Sequence, residues 1–356
     1  MIKYIKTVRY KIIGVTMGKN ITIKDIANEA GVSPSTVSLV INDKGYVSDQ
    51  TKNRIQKVIE ELDYRPLHSA RKLATNYTDN IGYIVWESHF SEVEAFYSQI
   101  FLGMEYATRN SDKYILLTTV KNDFDPGKDL PRFLKYKDVD GVALAGKVPH
   151  KLIQYLVDKE IPFVLVDYSL PGKTYNSIVI DNFNGAYKAV QHLMDRGREK
   201  ISFIGGSYYH PSIKERLRGY KEAVREQNLY KNGYFDQYIF IKKEETTPEI
   251  GKLGVEKLFQ QKSYPDAIFC CNDTTAIGAI SQLKKMGFKI PEDVAIVGFD
   301  DIPSAGLSHP SLTTVEVPKL TIGKEAYKLL NEIIRNPEVT PQTRKISVDL
   351  IVRESS

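Results

Sequence analysis

The sequence predicts an α/β protein: a small three-helix module, then a long core of two doubly wound parallel sheets. Three observations predict it. Residues 79–356 alternate short apolar runs with helical stretches, the pattern of parallel strands joined by helices on both faces. That stretch, about 280 residues, is long for one sheet and implies two lobes. Residues 21–64 carry three short amphipathic helical patterns, each preceded by a cap residue.

In the N-terminal module, Thr22 precedes the helical run Ile23–Ala30, with Asp25 placed for a capping box. Ile23, Ile26, Ala27 and Ala30 share one face, and Gly31 ends the run. Ser33 caps a second helix, with Pro34 at its first position, where a missing N–H costs nothing. Val37, Val40 and Ile41 form its buried stripe, and Pro34, Ser35, Ser38 and Leu39 the opposite one. A third helix follows Ser48 and buries Ile55, Val58, Ile59 and Leu62. Two short helices joined by a tight turn read as a helix-turn-helix, whose second helix fits the ~12 Å major groove. A generic three-helix bundle is the other reading of this pattern.

The expected core strands are Ile81–Val85, Tyr114–Val120, Gly141–Ala145, Phe163–Asp167, Ser177–Asp181, Ile201–Gly205, Ala267–Asn272 and Val294–Asp300. The expected helices are Glu92–Arg109, Phe183–Arg196, Glu215–Gln227, Pro248–Gln260 and Thr274–Met286. Ligands in such folds sit beyond the carboxyl ends of the strands. The sequence has no phosphate loop, dinucleotide glycine motif, nucleophile elbow or histidine-centred triad, so an enzyme is not expected. Cys270 and Cys271 are adjacent, which excludes a disulfide framework and zinc spacing, and no histidine pair has ligand spacing. No metal or cofactor is expected.

The net charge of +5 invites over-reading. Residues 1–20 hold five bases and no acids, residues 21–76 eight bases and seven acids, and residues 77–356 36 bases and 37 acids. The basic balance thus comes from one short segment, and charge is not what points to DNA. Bases interrupt that segment, so it lacks a signal peptide's apolar core, and no run reaches the ~18 residues of a membrane helix. Cytoplasmic location is expected. Met17 is read as the working translation start, with residues 1–20 an extension without fixed structure; the alternative is a basic arm on DNA phosphates.

Specificity comes from ITIKDIANEAGVSPSTVSLVIND followed by VSDQTKNRIQKVIEELDYRP. Over about fifty residues these resemble the DNA-binding headpiece of the LacI/GalR family of bacterial transcription regulators. The core resembles the same family, most clearly through GFKIPEDVAIVGFDDI and HPSLTTVEVP. The resemblance implies a headpiece at 21–64, a hinge at 65–78 and a periplasmic-binding-protein-like core at 79–356. Its N-lobe would comprise about 79–180 and 318–345, and its C-lobe about 181–317 and 346–356.

The resemblance assigns base reading to Pro34, Ser35 and Leu39. Several relatives carry arginine at the place of Leu39; leucine can only pack on apolar surface such as a thymine methyl. Thr22, Ser33, Thr36, Ser38 and Asn42 become phosphate contacts, with capping or solvation as the plain alternative. In the hinge, Leu73 takes the role of a minor-groove wedge, with Arg71 and Lys72 near phosphates. For a small-molecule effector between the lobes, the matching positions are Trp86, Phe96, Tyr97, Asp167, Arg216, Asn272 and Asp300. Carboxylates with flat aromatic faces suit a sugar. Asp273 and Asp301 are read as helix caps or backbone partners, and Arg198 as surface variation.

The expectation is a homodimeric repressor of carbohydrate-utilisation genes, bound to a palindromic double-stranded operator. No heptad tail follows the last strand, so a tetramer is not expected. Control by a protein partner, a nucleobase-type effector, and a sugar-binding protein without DNA function are the alternatives.

Overall fold

The computed structural model describes residues 21–41, 45–64, 77–89, 96–109, 111–170, 172–206, 210–226, 237–243 and 246–356. Asn42, Arg71, Lys72, Leu73 and the first twenty residues lie outside them. The chain divides into two compact units after Thr78.

The first unit holds α1 (Ile23–Ala30), α2 (Pro34–Ile41) and α3 (Asp49–Glu61). Thr22 and Asp25 close a full capping box: the Asp25 N–H reaches Thr22 Oγ1 at 3.4 Å, and the Thr22 N–H reaches Asp25 Oδ2 at 2.8 Å. Gly31 follows in the left-handed region at φ +62° and ends α1. Ser33 Oγ accepts the Thr36 N–H at 3.1 Å, capping α2. Ile26, Ala27, Ala30, Val37, Val40, Ile55, Val58 and Tyr64 make the core, with Ile41, Ile59 and Leu62 packed on its margin.

The second unit contains two six-stranded sheets. The N-lobe sheet comprises β1 (Asn80–Trp86), β2 (Tyr114–Val120), β3 (Gly141–Ala145), β4 (Phe163–Val166), β5 (Ser177–Ile180) and β11 (Thr343–Ile346). Its order is β11-β5-β4-β3-β1-β2, parallel throughout. The C-lobe sheet comprises β6 (Ile201–Gly205), β7 (Ile239–Ile241), β8 (Ala267–Cys270), β9 (Ala295–Asp300), β10 (Thr313–Glu316) and β12 (Asp349–Ile351). It runs β12-β10-β9-β8-β6-β7, and only β12 is antiparallel to its neighbour. The chain passes between sheets three times: after β5, after β10 and after β11.

The N-lobe helices are α4 (Phe96–Thr108), α5 (Arg132–Lys135), α6 (His150–Asp158) and, after the second crossing, α12 (Lys319–Arg335). The C-lobe has α7 (Asn182–Asp195), α8 (Pro211–Glu226), α9 (Pro248–Leu258), α10 (Asp273–Lys285) and α11 (Pro303–Leu307). One apolar core runs through both lobes beneath α4, α12, α7 and α8, and each sheet has a separate core on its other face. Uninterrupted buried strands such as Gly141–Ala145 follow from this two-sided cover.

Several expected bounds change. Three strands end early, β4 at Val166, β5 at Ile180 and β8 at Cys270, and β9 begins one residue late, at Ala295. Asp167 leaves β4 in the left-handed region at φ +55°, which ends the strand there. Helix α8 begins a turn before Glu215, at Pro211, whose fixed φ suits a first turn. Helices α5, α6, α11 and α12 and strands β7, β10 and β11 add to the expected set. Arg198 is not plain surface variation, because its guanidinium donates to the carbonyls of Pro291 and Glu292 and ties down that loop.

Candidate nucleic-acid interface and ligand cavity

Pro34, Ser35 and Leu39 all lie exposed on α2, opposite the buried Val37 and Val40. Their side chains lie where the core leaves a face of the second helix open. Leu39 is 39% exposed, a large apolar residue left in water. The expected phosphate contacts are partly occupied locally. The Thr22 hydroxyl donates to Asp25 at 2.6 Å, and Ser33 Oγ lies 2.8 Å from both Ser35 Oγ and Thr36 Oγ1.

In the second unit, the seven expected effector residues line one cavity of about 300 Å³ between the two sheets' carboxyl ends. Trp86 ends β1, and Phe96 and Tyr97 open α4. Asp167 follows β4, Arg216 projects from α8, Asn272 caps α10, and Asp300 ends β9.

A buried polar network holds these groups. Arg216 is 3% exposed and donates three ways: to Asn182 Oδ1 at 2.8 Å, Cys271 O at 2.6 Å and Asp300 Oδ1 at 2.9 Å. Its guanidinium carbon also stands 3.7 Å from the centre of the Phe299 ring. Planar, forked donors suit this role, and lysine could not fill it. Asp167 accepts from Tyr97 at 3.0 Å on one oxygen and from Ser212 at 3.0 Å on the other. Its contacts thus tie the N-lobe aromatic Tyr97 to the C-lobe Ser212. Burial pushes the Asp167 and Asp300 carboxyls upward, opposed in each case by Arg216.

Asn272 spends Oδ1 on the Thr275 N–H at 3.0 Å. Asp273 accepts the Ile302 N–H at 2.9 Å and the Thr314 hydroxyl, a backbone partner as expected. Burial, with Asp300 nearby, pushes its carboxyl up to about 8. Asp301 instead forms an ion pair with Arg353 at 2.7 Å, neither a cap nor a backbone bond.

The expected set misses other residues on the cavity wall: His89, Lys147, His210, Ser212 and Lys243. Lys147 follows β3 by two residues, so the strand-end rule could have found it. His89 stacks on Tyr97 at 5.0 Å and meets Trp86 edge-on at 4.9 Å. Both histidines are held down at about 4, mainly by burial, with Lys147 among the repelling charges. Lys319, also unforeseen, is buried at the start of α12 and donates to the carbonyls of Asp300, Asp301 and Val317. It bolts the end of β9 to the second crossover. Among the described residues, no cluster of metal-ligating side chains and no helix long and apolar enough to cross a membrane is present.

Residues 22–66 match the family of bacterial regulatory proteins, lacI family, and residues 190–356 match the periplasmic binding protein-like domain. The HTH-type transcriptional repressor PurR of Vibrio vulnificus is 32% identical over 336 residues, covering 94% of this chain and 98% of that protein. The chain belongs to the LacI family. The ribose operon repressor of Haemophilus influenzae is 32% identical over 334 residues, covering 94% of this chain and 98% of that one. Among solved structures, the transcriptional regulator CelR–cellobiose complex superposes with TM-score 0.72 at 29% identity, covering 94% of this chain and 100% of that one. This LacI-family chain is therefore a DNA-binding transcriptional repressor with an effector-binding domain; its relatives are repressors, not enzymes.

Proposed function

We propose that this repressor controls carbohydrate-utilisation genes and that a sugar bound in the interlobe cavity sets its operator affinity. One observation carries the reading: Asp167, Asp300 and Arg216 converge with Trp86, Phe96 and Tyr97 on one cavity of about 300 Å³. Fixed polar groups would take the vicinal hydroxyls, and aromatic faces the C–H side of the ring. The ribose operon and the cellobiose complex named for two relatives support a sugar, while the PurR repressors among the relatives make a nucleobase the second reading. Because the cavity draws residues from both lobes, a ligand that fits one lobe arrangement better shifts the equilibrium toward it.

On DNA, α2 enters the major groove, with Pro34, Ser35 and Leu39 reading bases and Thr22, Ser33, Thr36, Ser38 and Asn42 at phosphates. Leu73, Arg71 and Lys72 act at the operator centre. Two copies on a palindrome make the protein a homodimer, and its place is the cytoplasm. The test begins with selecting the operator from a random duplex library with the full chain. Its affinity is then measured with and without neutral sugars, sugar phosphates and nucleosides, following Trp86 fluorescence in parallel. A palindromic site whose affinity responds to a sugar is expected. A response confined to nucleosides, or tetramers by light scattering, would refute the corresponding part.

A further inference from the structure

Among the described residues, the wall of the cavity carries three cationic side chains, Lys147, Arg216 and Lys243, against the two carboxylates Asp167 and Asp300. Arg216 is committed to Asp300, Asn182 and Cys271, and Asp167 has both oxygens occupied by hydroxyl donors. Asn272 is committed to capping α10. The cations left over are the half-buried Lys147 on the N-lobe wall and the exposed Lys243 on the C-lobe wall. Among the described residues, neither ammonium has a carboxylate within the 4.0 Å of an ion pair. Lys147 is half-buried, and a cation removed from water without a counter-charge is costly. His89 lines the same wall, and among the described residues its buried Nδ1 makes no hydrogen bond.

We infer that the effector is an anionic sugar, of the phosphomonoester or carboxylate kind, whose charge is received by Lys147 with Lys243 contributing from the other lobe. This rests on the sugar reading above and deepens it. The Lys147 ammonium supplies charge-assisted hydrogen bonds, which are about twice as strong as neutral ones. An anion bound by lysines of both lobes favours whichever lobe arrangement brings them together, which makes charge the switching element and the sugar ring the specificity element. Lys147 also repels protons from both His89 and His210, so a bound anion would relieve the repulsion felt by the whole wall.

The test uses the full chain and the fluorescence of Trp86, the only tryptophan, which lines the cavity. The probes are hexose and pentose monophosphates, uronates, their neutral parent sugars, and inorganic phosphate. A monophosphate or a uronate is expected to bind at least about ten-fold tighter than its parent, and Lys147→Gln should bring that ratio close to one. The monophosphate and uronate arms identify which anion is used. A neutral parent that binds as tightly as its anionic partner overturns the inference while leaving the sugar reading standing. So does an anion preference that survives Lys147→Gln, or inorganic phosphate binding as well as the monophosphate. Silence from every sugar, charged or neutral, overturns both.

Discussion

Arg216 shows how one side chain decides a site. It reaches the first crossover through Asn182, the end of β8 through Cys271 and the end of β9 through Asp300. Removing it leaves the Asp300 carboxylate without its ion-pair partner. Arg216→Ala should therefore cost the core about 3–5 kcal/mol in denaturant unfolding of the full chain. Arg216→Lys should recover part of that stability but not the response of operator affinity to effector. A fully responsive Arg216→Lys protein would show that the fork geometry is not needed. At the other end of the chain, Leu39→Ala removes the apolar group from the proposed reading face. It should weaken binding to the selected operator by about 1–2 kcal/mol and relax discrimination at one base position. The slope of affinity against salt should stay unchanged, since no phosphate contact is lost. A changed slope would move Leu39 from the base edge to the backbone.

At the scale of elements, the headpiece was nearly all legible, because its signals are local. The capping pair Thr22 and Asp25, the proline at the start of α2 and the stripes of Val37, Val40, Ile55 and Val58 are each visible in a window of a few residues. The strand ends that carry Trp86, Asp167 and Asp300 were legible too, since a parallel fold puts ligands there. Lys319 and His210 were not. A lysine satisfied by three carbonyls exists only once a crossover folds back on β9, and no spacing in the sequence announces that. Helix α12 carries a plain helical stripe at Ile322, Ala326, Leu329 and Ile333, yet its partner could only be seen in three dimensions. It meets α4 through a reciprocal glycine contact. A Cβ on Gly323 would sit 2.0 Å from the Ile100 carbonyl, and one on Gly103 2.2 Å from that of Leu320. Both obstacles are backbone, so neither helix can yield without sliding. Gly323→Ala should cost about 1–3 kcal/mol of core stability despite its better helix propensity, and a thermal melt of the full chain checks it. A melting point at or above that of the parent would mean that the two helices separate freely.

Across the whole molecule, the two lobes are joined by polar groups that sit awkwardly with protons. His89 on one lobe and His210 on the other are both held near 4 by burial and by nearby cations, Lys147 among them, while an unfolded imidazole titrates near 6.5. Between those values the unfolded chain holds more protons than the folded one. The stability that depends on neutral histidines is therefore fully present above about pH 6.5 and is lost as pH falls toward 4. Asp273 acts in the opposite sense. Its carboxyl keeps a proton in the folded state up to about 8, so its contribution declines as pH rises from the ordinary carboxylate range. The histidine part is isolated by comparing the parent chain with a His89→Gln, His210→Gln variant, since Asp273 is common to both. Between pH 7 and pH 5 the parent should lose on the order of 1–2 kcal/mol per histidine more than the variant, measured by urea unfolding at each pH. Equal losses would mean that the histidines are hydrated in the folded protein and that the cavity wall is wetter than its packing implies.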